Sequence, residues 1–102
     1  MDFSIDIVNL YKYLCETKKE YVLSKQLLRS GTSIGANLVE AQSGISKRDF
    51  VAKTYISLKE TAETEYWLEL LYKTDYLTID EYPVNDKCKE LCKLFNSITK
   101  NS

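Results

Sequence analysis

Apolar residues recur three or four positions apart in four segments, the spacing that places them on one face of a helix. The first covers about residues 3–18, with Ile7, Leu10, Tyr11, Leu14 and Cys15 on one stripe. A polar joint, Thr17-Lys18-Lys19-Glu20, separates it from a second at about 22–43, which turns Leu23, Leu27, Ser30, Gly31, Ile34, Leu38 and Ala41 inward. Gly44 then serves as a C-terminal cap, because glycine accepts a left-handed backbone without penalty. Ser46 reads as an N-cap with Asp49 at the third helical position. From there a third helix extends over about 47–74 with no Gly or Pro. Thr78-Ile79-Asp80-Glu81 is another such start, but Pro83 removes a helical donor and clashes with the preceding turn. A short turn or kink is therefore expected before a fourth helix at about 83–99, its inner stripe Val84, Cys88, Leu91, Cys92, Phe95 and Ile98. Joints of a few residues make consecutive helices antiparallel. The pattern predicts an all-α fold, an up-down-up-down antiparallel four-helix bundle forming one domain over residues 1–102.

Composition narrows the function more than the fold. The 102 residues hold three Gly and one Pro, where average usage gives about twelve together; a sandwich or barrel needs more turns than that supplies. Hydrophobic content of 44% with balanced charge argues against disorder. No apolar run is long enough to span a membrane. The start Met1-Asp2-Phe3-Ser4-Ile5-Asp6 lacks the features of a signal peptide, so a cytoplasmic location is expected, with its three cysteines as thiols. The chain has no histidine. That removes the usual general base near neutral pH, the usual metal ligand and every histidine-based triad. No glycine-rich phosphate loop or nucleophile motif is present either. The expectation is a protein without catalysis, cofactor or metal.

If the second and third helices fold back near position 45, facing residues have numbers summing to about 90. Arg29 is then level with Glu60 and Glu63, and Glu40 with Lys47 and Lys53. Ser33, Asn37 and Glu40 continue from Arg29 along one side of the helix. This stripe is either an interhelical polar network that sets register or a binding groove; the first is favoured because buried charges are retained when paired. Gly31 and Gly35 form a small-xxx-small pair that lets another helix approach closely, which compensates for their weak helix propensity.

The segment Tyr66-Trp67-Leu68-Glu69-Leu70-Leu71-Tyr72 is apolar around most of the helix. Either the core is wide there, or Tyr66, Trp67, Leu70 and Leu71 form a subunit interface, where Trp and Tyr are enriched. The second reading is favoured and predicts a homo-oligomer. Cys88 and Cys92 share one helical face, and Cys15 ends the first helix, so the three converge if the first and last helices are neighbours. Three thiolates make an incomplete zinc site, and packing is the simpler role. Glu60 and Glu63 lack the histidine partners of a di-iron site.

The formal charge of −1 is a cancellation. Residues 18–59 carry Lys18, Lys19, Lys25, Arg29, Lys47, Arg48, Lys53 and Lys59 against three acidic groups, a balance of +5. Residues 60–90 carry three basic groups against nine acidic ones, a balance of −6. Lys18, Lys19 and Lys25 lie at the opposite end of the second helix from Lys47, Arg48 and Lys53. A ring of subunits would repeat either cluster into a basic rim able to neutralise phosphates. No stacking platform or nucleic-acid module is visible.

The run Gln26-Leu27-Leu28-Arg29-Ser30-Gly31-Thr32-Ser33-Ile34-Gly35-Ala36-Asn37-Leu38-Val39-Glu40-Ala41, with Asp49-Phe50 and Leu58-Lys59-Glu60-Thr61-Ala62-Glu63-Thr64-Glu65-Tyr66-Trp67-Leu68, resembles a bacterial family of four-helix bundles. That family is encoded in intervening sequences of large-subunit ribosomal RNA genes. The resemblance extends over about residues 7–98 and implies an up-down bundle assembling as a ring-like homopentamer. Accessory proteins of diversity-generating retroelements look like relatives, and are thought to bind nucleic acid and a reverse transcriptase. By position, the family-typical residues are Arg29, Ser30, Ser33, Ile34, Asn37, Glu40, Glu60, Glu63 and Trp67, which mostly coincide with the polar stripe. An isoelectric point near 5.5 departs from the basic surface such a role implies. Together these features point to a self-assembling scaffold for RNA or a nucleoprotein partner, or alternatively to a protein–protein interaction module that binds no nucleic acid.

Overall fold

The structure is a computed structural model that describes residues 2–43 and 46–100. Four helices and no strand occur among the described residues: α1 Asp2–Glu16, α2 Leu23–Gln42, α3 Lys47–Lys73 and α4 Val84–Lys100. They form an up-down-up-down antiparallel bundle with a long axis of 44 Å, about the length of a 27-residue helix at 1.5 Å per residue. The cap expected at Gly44 lies outside the described residues.

Each helix end has a local cause. At α3, the Ser46 hydroxyl accepts the Asp49 N–H at 3.2 Å, the cap expected from Ser46. Thr78 holds a single turn, its hydroxyl accepting from the Glu81 N–H and its carbonyl from the Tyr82 N–H; Pro83 ends that turn, and α4 starts one residue later. Helices α1 and α3 stop without glycine. Lys19 and Asp75 take the left-handed conformation instead, at φ 55° and 67°, and the chain turns back so that the Glu20 and Tyr76 N–H groups reach the carbonyls of Leu14 and Leu71.

The joint before α2 holds a residue that its polarity conceals. Glu20 is buried. Its carboxylate accepts the N–H groups of Val22, Leu23 and Ser24 at 3.3, 3.0 and 2.8 Å, and the Ser24 hydroxyl returns to the Glu20 carbonyl at 2.7 Å. Val22 at the cap position has no side chain that can accept, so Glu20 satisfies the orphan donors from outside the helix.

The interior divides along its length. In the upper half, towards the α1–α2 and α3–α4 joints, Ile7, Leu10, Leu14, Leu27, Leu68, Leu71, Leu77, Val84 and Cys88 pack as one apolar cluster. From the middle of the bundle downwards, the buried stripe of α3 is Thr64, Thr61, Ser57 and Thr54, with Ser30, Ile34, Ala41, Phe95 and Thr99 buried on the other helices. These hydroxyls can be buried because each is satisfied. Thr54, Thr61 and Thr64 donate to carbonyls one turn back on their own helix. Ser57 crosses to the Ile34 carbonyl at 3.2 Å, and Thr64 also reaches the Ser30 hydroxyl at 2.9 Å.

Such small residues bring α2 and α3 close together, and Gly31 and Gly35 do the same for α1. A Cβ at Gly31 would sit 2.8 Å from two carbons of the fully buried Ile7; one at Gly35 would meet the Ser4 side chain, its hydroxyl at 2.7 Å and its Cβ at an ordinary 4.0 Å. Ile7 has nowhere to move, whereas the hydroxyl can rotate. Gly31→Ala is therefore expected to lose about 1–3 kcal/mol to overpacking, partly offset by roughly 1 kcal/mol of helix propensity. Gly35→Ala keeps the propensity gain and is expected to be neutral or stabilising. Urea titration of both variants reads the difference.

Candidate functional site

The α2–α3 face carries a polar seam. Arg29, its side chain half-exposed, sends its guanidinium to both Glu60, at 3.4 Å, and Glu63, while the Trp67 indole N–H also points at Glu63. At the lower end Lys53 pairs with Glu40 at 2.7 Å. These pairs set the helix register where the facing-number argument puts it. Ser33 and Asn37 do not bridge the helices, however. They donate to carbonyls one turn back on α2, those of Arg29 and Ser33. The side chains that cross in their place are Ser57 and the Ser30–Thr64 pair; Ser30 is on the inward stripe expected for α2, whereas Ser57 and Thr64 read as surface positions by letter alone.

The basic residues separate into tied and free groups. Arg29, Lys53, Lys73 and Lys87 are held by carboxylates. Lys18, Lys19 and Lys25 at the upper end, and Lys47 and Arg48 at the lower end, are exposed and form no ion pair among the described residues. The two groups are not gathered onto one face. Lys53 leaves the free set because Glu40 neutralises it.

The cysteines do not converge. The Cys15 thiol lies by the Glu20 carbonyl and the Ser24 hydroxyl, whereas Cys88 reaches the Thr61 carbonyl and Cys92 the Glu65 carboxylate. The expectation failed because α1 packs mainly on α2, and α4 on α3. Burial pushes the Cys88 thiol up to about 12, and burial with the nearby Glu65 raises Cys92; thiols held protonated are poor nucleophiles and metal ligands. No cluster of three or more His, Cys, Asp or Glu side chains suited to a metal occurs among the described residues.

The aromatic end of α3 is only partly available. Leu71 is 0% exposed within the chain's own core, which removes it from any subunit interface. Trp67 is half-buried and packs on the apolar cluster, its ring 5.0 Å from that of Tyr66. Tyr66 is exposed, and with Leu70, Glu69 and Lys73 it lines a shallow hollow of about 210 Å³. The larger apolar opening was not anticipated: a groove of about 610 Å³ between α1 and α4, lined by Phe3, Leu91 and Leu94 with Asp2, Lys87 and Glu90. Leu94, an apolar residue just off the inner stripe of α4, is the one sequence signal for it.

Comparison with known proteins follows the same outline. The model of the 23S rRNA-intervening sequence protein family matches residues 1–97. A crystal structure of a protein of unknown function from the S23 ribosomal protein family of Bacteroides thetaiotaomicron is 54% identical, with a TM-score of 0.93. The match covers 97% of this chain and 93% of that one. No curated protein matches this chain.

Proposed function

The chain belongs to the 23S rRNA-intervening sequence protein family, and we propose that it is a non-catalytic scaffold that self-assembles, as a pentamer, and binds RNA or a nucleoprotein partner in the cytoplasm. The observation that carries the RNA reading is the division of its cations. Internal pairing ties four of them. Among those exposed and in no ion pair among the described residues, Lys18, Lys19, Lys25, Lys47 and Arg48 cluster at the two ends of the bundle, while Lys12, Lys59, Lys89 and Lys93 are spread along its helices. In a ring each end becomes a basic rim repeated once per subunit, and phosphate contacts of that kind add up. Of the acidic groups of residues 60–90, Glu60, Glu63 and Glu69 on α3 are already engaged by basic partners. Asp75, Asp80 and Glu81 lie in the α3–α4 joint at the same end as Lys18, Lys19 and Lys25, so Lys47 and Arg48 at the lower end are the better placed for phosphate. The absence of histidine from the sequence supports the non-catalytic part.

Anisotropy titration with a structured RNA across a salt series tests this. Binding at low salt that weakens as salt rises is expected, and Lys47→Glu with Arg48→Glu should weaken it for every sequence and lower the salt slope by about two for each subunit that contacts the RNA. Lys53→Glu should change RNA binding less, because its charge is spent on Glu40. No binding at low salt, in an assembled protein, would favour an interaction module that recognises protein alone.

A further inference from the structure

In the lower half of the bundle hydroxyls share the interior with Ile34, Ala41 and Phe95, and large apolar side chains stand outside. Ile5, Val39, Tyr55, Ile56 and Leu94 are each 41–58% exposed, in the half where Thr54, Ser57, Thr61 and Thr99 are buried. We propose that the outer ridge of α3 in one copy of this chain seats in the α1–α4 groove of the next. This rests on the assembly reading above and names its two surfaces.

The ridge is Tyr55, Lys59, Ala62 and Tyr66, spaced four, three and four residues apart on the side of α3 opposite its buried stripe. Ile56 flanks it, and Ala62 leaves room for a partner helix to come close. The groove is open because α1 and α4 touch each other far less than the other neighbouring pairs do. Its floor is Phe3, Leu91 and Leu94. A helix ridge laid between two helices covers apolar surface on all three.

Charge and height both fit this pairing. Of the charges lining the groove, Asp2, Glu90 and Lys87, Lys87 is already paired with Asp6, which leaves Asp2 and Glu90 as a negative rim. Lys59 is the single charge of the ridge and forms no ion pair among the described residues. Pairing the ridge with itself about a two-fold axis would instead set Lys59 against Lys59. Contacts of Cys88 with Thr61 and of Cys92 with Glu65 put Leu91 and Leu94 level with Ala62 and Lys59. Two different patches at one height mate by rotation about an axis along the bundle, with no climb, and such a heterologous contact closes into a ring rather than a filament.

The test is a mixing experiment read by native mass spectrometry. Tyr55→Glu spoils the ridge and leaves the groove; Leu94→Glu spoils the groove and leaves the ridge. Both positions are more than half exposed, and circular dichroism confirms that each variant folds. Each alone is expected to be monomeric, and an equal mixture to form a dimer with one of each. A mixture that stays monomeric overturns the pairing, as does either variant retaining the wild-type mass. Lys59→Glu is a second ridge variant, expected to weaken assembly and to be rescued by Glu90→Lys in the same chain; absence of rescue counts against the charge contact. A wild-type chain that is itself monomeric overturns the assembly reading as well, which separates the two failures.

Discussion

Phe95→Ala is expected to destabilise the fold by about 3–5 kcal/mol, the range for removing a buried aromatic ring. Phe95 heads the fully buried side chains by volume, and its place in the fold sets the cost at the upper part of that range. The other buried residues of that half include Thr54, Ser57, Ile34 and Ala41. Small residues on rigid helices cannot collapse into a vacated ring, so most of the cavity persists. Against a total stability of roughly 5–15 kcal/mol for a domain of this size, that loss lowers the melting temperature by about 15–30 °C. Thermal melts followed by circular dichroism measure it, at one fixed protein concentration because self-association of the kind proposed would make the midpoint concentration-dependent. Leu94→Ala, one position away and half-exposed, is the control: its effect on the isolated fold should be under about 1 kcal/mol.

Glu20→Ala is expected to cost about 2–3 kcal/mol. A lost N-cap side chain usually costs around 1 kcal/mol, but Glu20 is buried and accepts three N–H groups at once. Alanine leaves those donors without an acceptor, and the charge that complements the positive end of α2 goes with it. Glu20→Gln should fall between the two, keeping one acceptor oxygen but turning an amide N–H towards backbone donors. Urea unfolding of the three proteins, with unchanged slope and a shifted midpoint, reads the order wild type, Gln, Ala.

Much of the bundle is legible from residue letters because its signals are local. Apolar spacing, Ser46 before Asp49 and the Pro83 break place the helices within about two residues of the observed ends. The long α2–α3 hairpin lets arithmetic alone bring Arg29 to Glu60 and Glu63. Gly31 and Gly35 announce the close approach of α1. What stays hidden depends on how a polar group is satisfied. Thr54, Ser57, Thr61 and Thr64 recur at helical spacing like a solvated face, yet hydroxyls that bond a carbonyl within reach can be buried, and here they form the core of α3. Glu20 is concealed in the same way, inside a charged joint. An outward Leu71 is favoured by the letters because the inward face of α3 cannot be identified while its lower half reads as polar. The separation of Cys15 from Cys88 follows from the loose α1–α4 contact, a property of the whole bundle that no local pattern carries.

That loose contact and the apolar side chains exposed on the single chain support the central proposal, that a second copy covers them. Native mass spectrometry of the wild-type protein, repeated over a dilution series, tests it most directly. The account predicts a closed assembly at five times the 11.8 kDa chain mass, dissociating only on dilution. A species of 11.8 kDa at every concentration would contradict it.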